Sequence, residues 1–204
     1  METAKNTIQK VKIKDGKLEV TYDEYFPQEN YSNTIDKKCA QMIHTDFRQA
    51  LDKLKLHLVC FCEMPESERI KSEGIYDFDP EILNSYVITG YTHGGSEESA
   101  GVTIIGQKLL KSGKVLNLIS PFIQFADSDA YDYAGELAAD IEACDYETTE
   151  YLFNEKWGVK QLSLDFDAPD GVDVSVEFST AEKPKKRGRK KKAEIENKAF
   201  DETA

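Results

Sequence analysis

Hydrophobic and polar residues change rhythm several times along this chain, and the changes divide it into elements. Between Thr7 and Lys14 the apolar positions are Ile8, Val11 and Ile13, spaced by polar side chains. Asp15-Gly16 follows, and Leu18-Glu19-Val20-Thr21-Tyr22 then alternates strictly. Two such runs around Asp-Gly predict a β-hairpin, because glycine accepts the positive φ of a tight turn. Asn30–Ala40, with Ile35 as its main apolar residue, predicts a third and weaker strand. The period then becomes helical. Phe47, Ala50, Leu51, Leu54, Leu58 and Phe61 make one apolar stripe. Thr45 is the expected cap, Asp46 sits where the macrodipole favours an acid, and Pro65 is the expected stop. The polar stretch Glu66–Asp79 reads as a surface loop.

Three further strands are predicted at Leu83–Thr92, Gly101–Leu110 and Val115–Phe125, with a flexible turn at His93–Ser99 and a short one at Ser112-Gly113. Pro121 weakens the far end of the last strand or places it at an edge. A second helix is expected to start near Ser128 or Asp129. Ala134, Leu137, Ile141, Cys144 and Thr148 lie along its inner face, and Tyr151 and Leu152 extend that face. Asp132, Glu136, Asp140 and Glu147 form its expected exposed face, and Gly158 is its expected stop. Val159–Asp167 and Val172–Phe178 predict a terminal hairpin around Ala168-Pro169-Asp170-Gly171. The order β-β-(β)-α-β-β-β-α-β-β predicts an α+β fold: antiparallel sheet covered by two helices, with a weak internal duplication suggested by the two strand–helix halves. A single domain over residues 1–180 and a disordered basic tail over residues 181–204 are expected.

Charge sharpens this division. The chain has 204 residues, 26 basic and 38 acidic, for a net charge of −12. Eight of the basic residues fall in Lys183–Lys192, and the remainder carries a net −20. A body so acidic repels phosphate and is unsuited to a broad nucleic-acid-binding face, so nucleic-acid contact is assigned to the tail or to one local patch. The N-terminus has no charged-then-apolar signal segment, and no run approaches transmembrane length. With four cysteines, Cys39, Cys60, Cys62 and Cys144, the expectation is a cytoplasmic protein with free thiols and no membrane contact.

Candidate chemistry is sparse. His57 lies one helical turn before Cys60, but no second ligand pair at zinc-site spacing follows, so no metal is expected. His93-Gly94-Gly95 beside Ser96 lacks the remainder of a catalytic constellation and reads as a hairpin connection. No catalytic residue and no cofactor are assigned, and the expectation is a protein that is not an enzyme.

Two short segments carry the functional expectation. Gln161-Leu162-Ser163-Leu164-Asp165-Phe166 resembles the hexapeptide by which bacterial replication and repair proteins dock on the sliding clamp of DNA polymerase. The resemblance implies that Gln161 fills a polar pocket and that Leu162, Leu164 and Phe166 fill an apolar one, as an extended peptide in a groove. The same three apolar residues also alternate as an ordinary strand does, and if they face the core they cannot reach a clamp. Both readings stand. The tail, with Lys185, Lys186, Arg187, Gly188, Arg189, Lys190, Lys191 and Lys192, resembles an AT-hook around Arg187-Gly188-Arg189. Such a core implies insertion into an A·T-rich minor groove. Lys190 stands where that family has proline, which leaves general DNA or RNA phosphate binding as the alternative.

In its acidic, tyrosine-rich composition and lysine-rich tail the chain resembles accessory proteins of phages and prophages. The leading expectation is a DNA replication or recombination accessory factor, bound to nucleic acid by its tail and to a protein by its body. An acidic inhibitor or DNA mimic, and a virion structural or assembly protein, are the alternatives.

Overall fold

A computed structural model describes residues 5–96, 99–127 and 131–158. Within them the fold is α+β. β1 (Lys5–Lys14), β2 (Lys17–Phe26) and β3 (Tyr31–Ile43) form one antiparallel meander; β4 (Tyr86–Gly94), β5 (Gly101–Leu109) and β6 (Val115–Ile119) form a second. The sheet has the order β6-β5-β4-β1-β2-β3-β8, with the short β7 (Ile123–Gln124) also on β5 and β8 (Trp157–Gly158) on β3. The meanders meet at β1 and β4 through only three residue pairs, Lys10↔Thr92, Val11↔Tyr91 and Lys12↔Gly90. Gly90 is required at that seam: a Cβ there would collide with the Val11 carbonyl oxygen.

The predicted hairpin forms around Asp15-Gly16, both with positive φ. The uneven step from Ile8 to Val11 has a cause. A β-bulge at Gln9 shifts the register between Ile8 and Lys10, so both apolar residues still face inward. The weak third strand is real and long. It needs little hydrophobicity because it lies toward the sheet edge and pairs with β2 along nearly its whole length.

Two helices, α1 (Thr45–Phe61) and α3 (Ala134–Phe153), pack together on one face of the sheet. Each crosses the seam. α1 follows the first meander in sequence but lies against β4 and β5, where Gly106 leaves room for it; a Cβ there would come within 2.5 Å of the Leu58 Cδ2 atom. α3 follows the second meander but lies against β1, and its last residue, Phe153, meets Tyr22 of β2 edge-on at 5.7 Å. One core results, containing Val11, Leu18, Leu54, Leu58, Tyr86, Tyr91, Ile104, Leu137 and Ile141.

Several boundaries differ from expectation. His44, not Thr45, caps α1, its Nδ1 accepting from the Asp46 N–H at 3.2 Å. Glu66–Asp79 is not a surface loop throughout: it contains α2 (Ser67–Glu73) and buries Ile70 and Phe78. The expected strand over Val115–Phe125 breaks at Ser120-Pro121, where the Ser120 hydroxyl accepts from the Ile104 N–H and donates to the Pro121 carbonyl. α3 ends at Asn154 rather than Gly158, and Trp157–Gly158 instead pairs with Ile43 and Met42. Asp140 and Glu147, expected on the exposed face of α3, point to protein partners. Asp140 meets His57, and Glu147 accepts from Lys156, which also bridges to Asp46 at the start of α1. The predicted hairpin and tail lie outside the described residues.

α2 is tied to the sheet by a half-buried cluster. Glu66 accepts from Lys108 Nζ at 2.8 Å and from the Tyr86 hydroxyl at 2.7 Å. Burial pushes the Glu66 carboxyl up, but bonds from Lys108, Tyr86 and its own backbone outweigh that and hold it below its ordinary value. The folded state therefore binds this proton less readily than the unfolded chain. The cluster's contribution is complete above the unfolded value and is lost as pH falls through the depressed folded value. Urea unfolding is expected to show stability declining from about pH 5 downward, with Glu66→Gln reducing stability at neutral pH and flattening that acid decline.

Candidate functional site

A cluster of polar side chains beside a cavity lies at the end of the β4–β5 hairpin. Tyr91 and His93 are two residues apart on β4, so both side chains leave the same face of the strand, toward α3. There Asp145 accepts a bond from the Tyr91 hydroxyl at 2.8 Å and meets His93 Nε2 at 3.0 Å. The two rings meet edge-on at 5.6 Å, and the Phe125 ring lies 6.5 Å from that of His93. Beside them opens a cavity of about 380 Å³, lined by Asn6, Thr7, Gln9, Ser96 and Thr149 as well as His93 and Asp145.

The turn that closes this cavity is fixed by its own bonds. Gly95 has φ +79°, and a Cβ there would strike the Ser99 carbonyl oxygen. Ser99 N–H donates to the Ser96 carbonyl at 2.6 Å, and Ser96 N–H donates to the Ser99 hydroxyl at 3.1 Å. The expected flexible turn thus begins later than His93, which belongs to β4.

The polar groups at this site are held by one another and by the turn beside them. Asp145 fixes His93 through its Nε2 atom, and His93 and Asp145 both line the cavity. The Ser96 hydroxyl lies 3.3 Å from that of Ser99, so its bonding is directed within the turn. Burial, then the Asp145 charge, pushes the Tyr91 hydroxyl well above its ordinary value, so it stays protonated as a fixed donor. Burial likewise pushes up the thiols of Cys39, Cys60, Cys62 and Cys144, which favours their protonated form. His57, paired with Cys60 in the sequence, has both ring nitrogens engaged: Nδ1 with the Tyr131 hydroxyl at 2.7 Å and Nε2 with Asp140 at 3.3 Å. It joins α1 to α3 and to the segment before it.

The sheet face away from the helices divides sharply. Over β1–β3 it is charged, with Lys12 and Lys38 flanking Glu19 and Thr34 donating to Asp23. Over β4–β6 it carries Val87, Ile105, Leu109, Val115 and Ile119. The sequence-predicted docking residues Gln161, Leu162, Leu164 and Phe166, and the basic run from Lys185 to Lys192, lie outside the described residues. The His93–Asp145 contact had no signal in the sequence, since its partners are far apart in the chain and neither belongs to a spaced motif.

No protein family matches the chain, and no curated protein or solved structure is similar to it.

Asp145→Ala leaves the fully buried Tyr91 hydroxyl without its acceptor and is expected to cost about 1–3 kcal/mol, while Tyr91→Phe costs about 0.5–1.5 kcal/mol. The double substitution should cost less than the sum, since no orphaned hydroxyl remains. Urea unfolding of the three variants checks the cycle; additive losses would show that the bond does not couple the two residues.

Proposed function

We propose that this chain is a non-enzymatic accessory factor of DNA replication or recombination, of the kind carried by phages. Its folded body engages a protein partner and its basic run engages nucleic acid. The observation that carries this reading is the segregation of charge: eight cations within Lys183–Lys192 against a net −20 elsewhere. A cationic run raises the local concentration of whatever it is joined to along DNA without a shaped binding face. Gln161, Leu162, Leu164 and Phe166 are the proposed contacts to a sliding clamp, and Arg187 and Arg189 the proposed minor-groove contacts.

A second reading, an acidic inhibitor that occupies a basic cleft, draws on α3, which has six acidic residues and no basic one. Its support is weakened by where those acids are used. Glu136 accepts from Tyr76, Asp140 meets His57, Asp145 meets Tyr91 and His93, Glu147 meets Lys156, and Glu150 accepts from Asn154. A carboxylate bonded inside the protein offers less to a basic partner than a free one.

DNA and RNA binding by the full chain across a salt series tests the proposal. With roughly 6–10 phosphate contacts, affinity should drop about 10³–10⁵-fold between 50 and 200 mM salt. Replacing the eight Lys and Arg residues of the run by Gln should abolish that binding. Binding that survives the replacement would place the nucleic-acid site in the body and overturn the assignment to the tail.

A further inference from the structure

We infer that β6 is a self-association edge, along which a second copy of this chain adds its own β6 in antiparallel register. β6 is the last strand of the sheet on its side. Leu110 N–H donates to the Lys114 carbonyl, and Ser120 N–H donates to the Ile104 carbonyl. These bonds fix which residues of the strand face β5. By the alternation of an antiparallel ladder, Leu116 and Leu118 direct their backbone groups inward, and Val115, Asn117 and Ile119 direct theirs outward, away from β5.

Exposed edges are ordinarily blunted by charge, proline or a bulge. The opposite side of the sheet follows that rule, for β3 carries Asp36, Lys37 and Lys38. β6 does not. Its sequence is Val115-Leu116-Asn117-Leu118-Ile119, with no charged residue. The order of side-chain types also reads the same in both directions. Two copies related by a two-fold axis at Asn117 would pair Val115 of one with Ile119 of the other, Leu116 with Leu118, and Asn117 with Asn117. Every outward backbone group of the strand then finds a partner, about six bonds in all.

The surface beside the edge suits the same partner. Val115 and Ile119 are 54% and 66% exposed, and Leu109 and Val87 on the neighbouring strands are 56% and 47% exposed. Two-fold pairing would merge two such patches into one continuous apolar surface. At its centre Gln107 already donates to the Asn117 side-chain carbonyl at 3.0 Å. The Asn117 amide is thereby oriented to bond across the axis, and a register slipped by two residues would set Asn117 against an apolar side chain. The patch is small beside the roughly 800 Å² per partner of a standard interface, so the dimer is a weak and reversible one.

Sedimentation equilibrium of the full chain, from low micromolar to millimolar concentration, reads this directly. The apparent mass is expected to rise with concentration toward twice the monomer mass. Val115→Lys with Ile119→Lys sets lysine opposite lysine, and Val115→Glu with Ile119→Glu sets glutamate opposite glutamate. Each double variant alone should weaken association about tenfold or more, and an equal mixture of the two should restore it. All four replacements are at exposed positions, and circular dichroism confirms the fold of each variant. A wild-type chain that stays monomeric throughout, variants that associate as the wild type does, or a mixture that fails to recover would each overturn the proposal.

Discussion

The shortness of the seam between β1 and β4 governs the rest of this structure. Three residue pairs join the two meanders, too few to hold two halves of a sheet against the entropy of separating them. What holds them is the crossing of the helices. α1 covers β4 and β5, and α3 reaches back over β1 and β2. Each meander is covered in part by the helix that follows the other, so neither half is complete without the other. The core is consequently one cluster spanning both halves.

Polar pairs fix the crossing in place. Three buried or half-buried tyrosines each direct a hydroxyl to a polar side chain on another element: Tyr86 to Glu66, Tyr91 to Asp145 and Tyr131 to His57. Apolar burial alone is non-directional and would tolerate small slides of α3 over the sheet. A tyrosine that has lost its partner in the interior pays the full desolvation cost, which disfavours such slides. With the helices committed to one face, the other face of the sheet carries the surface chemistry: charged over β1–β3, apolar around the Gln107–Asn117 pair over β4–β6.

Much of the body was legible from pattern. The stripe Phe47–Leu54–Leu58, the Asp15-Gly16 turn and the inner face Leu137–Ile141–Cys144 all follow from periodicity, and all are found as expected. An element with one apolar residue was not legible. Ile70 is the only apolar side chain in α2, and a single position has no period. The inward use of Asp140 and Glu147 was hidden for a related reason: their partners His57 and Lys156 lie outside α3, and helical spacing cannot distinguish a solvated acid from a bonded one. The His93–Asp145 contact was invisible in the same way. Of the functional expectation, the clamp-like hexapeptide and the basic run are features of sequence outside the described residues.

Native-state hydrogen exchange across both meanders tests the crossing of the helices most directly. If the crossing binds the halves into one unit, backbone amides of β1–β2 and of β4–β5 exchange with the same opening free energy, and that energy equals the global unfolding value from urea. If one meander opens at a distinctly lower free energy while the other stays protected, the halves are independent and the account of the seam is contradicted.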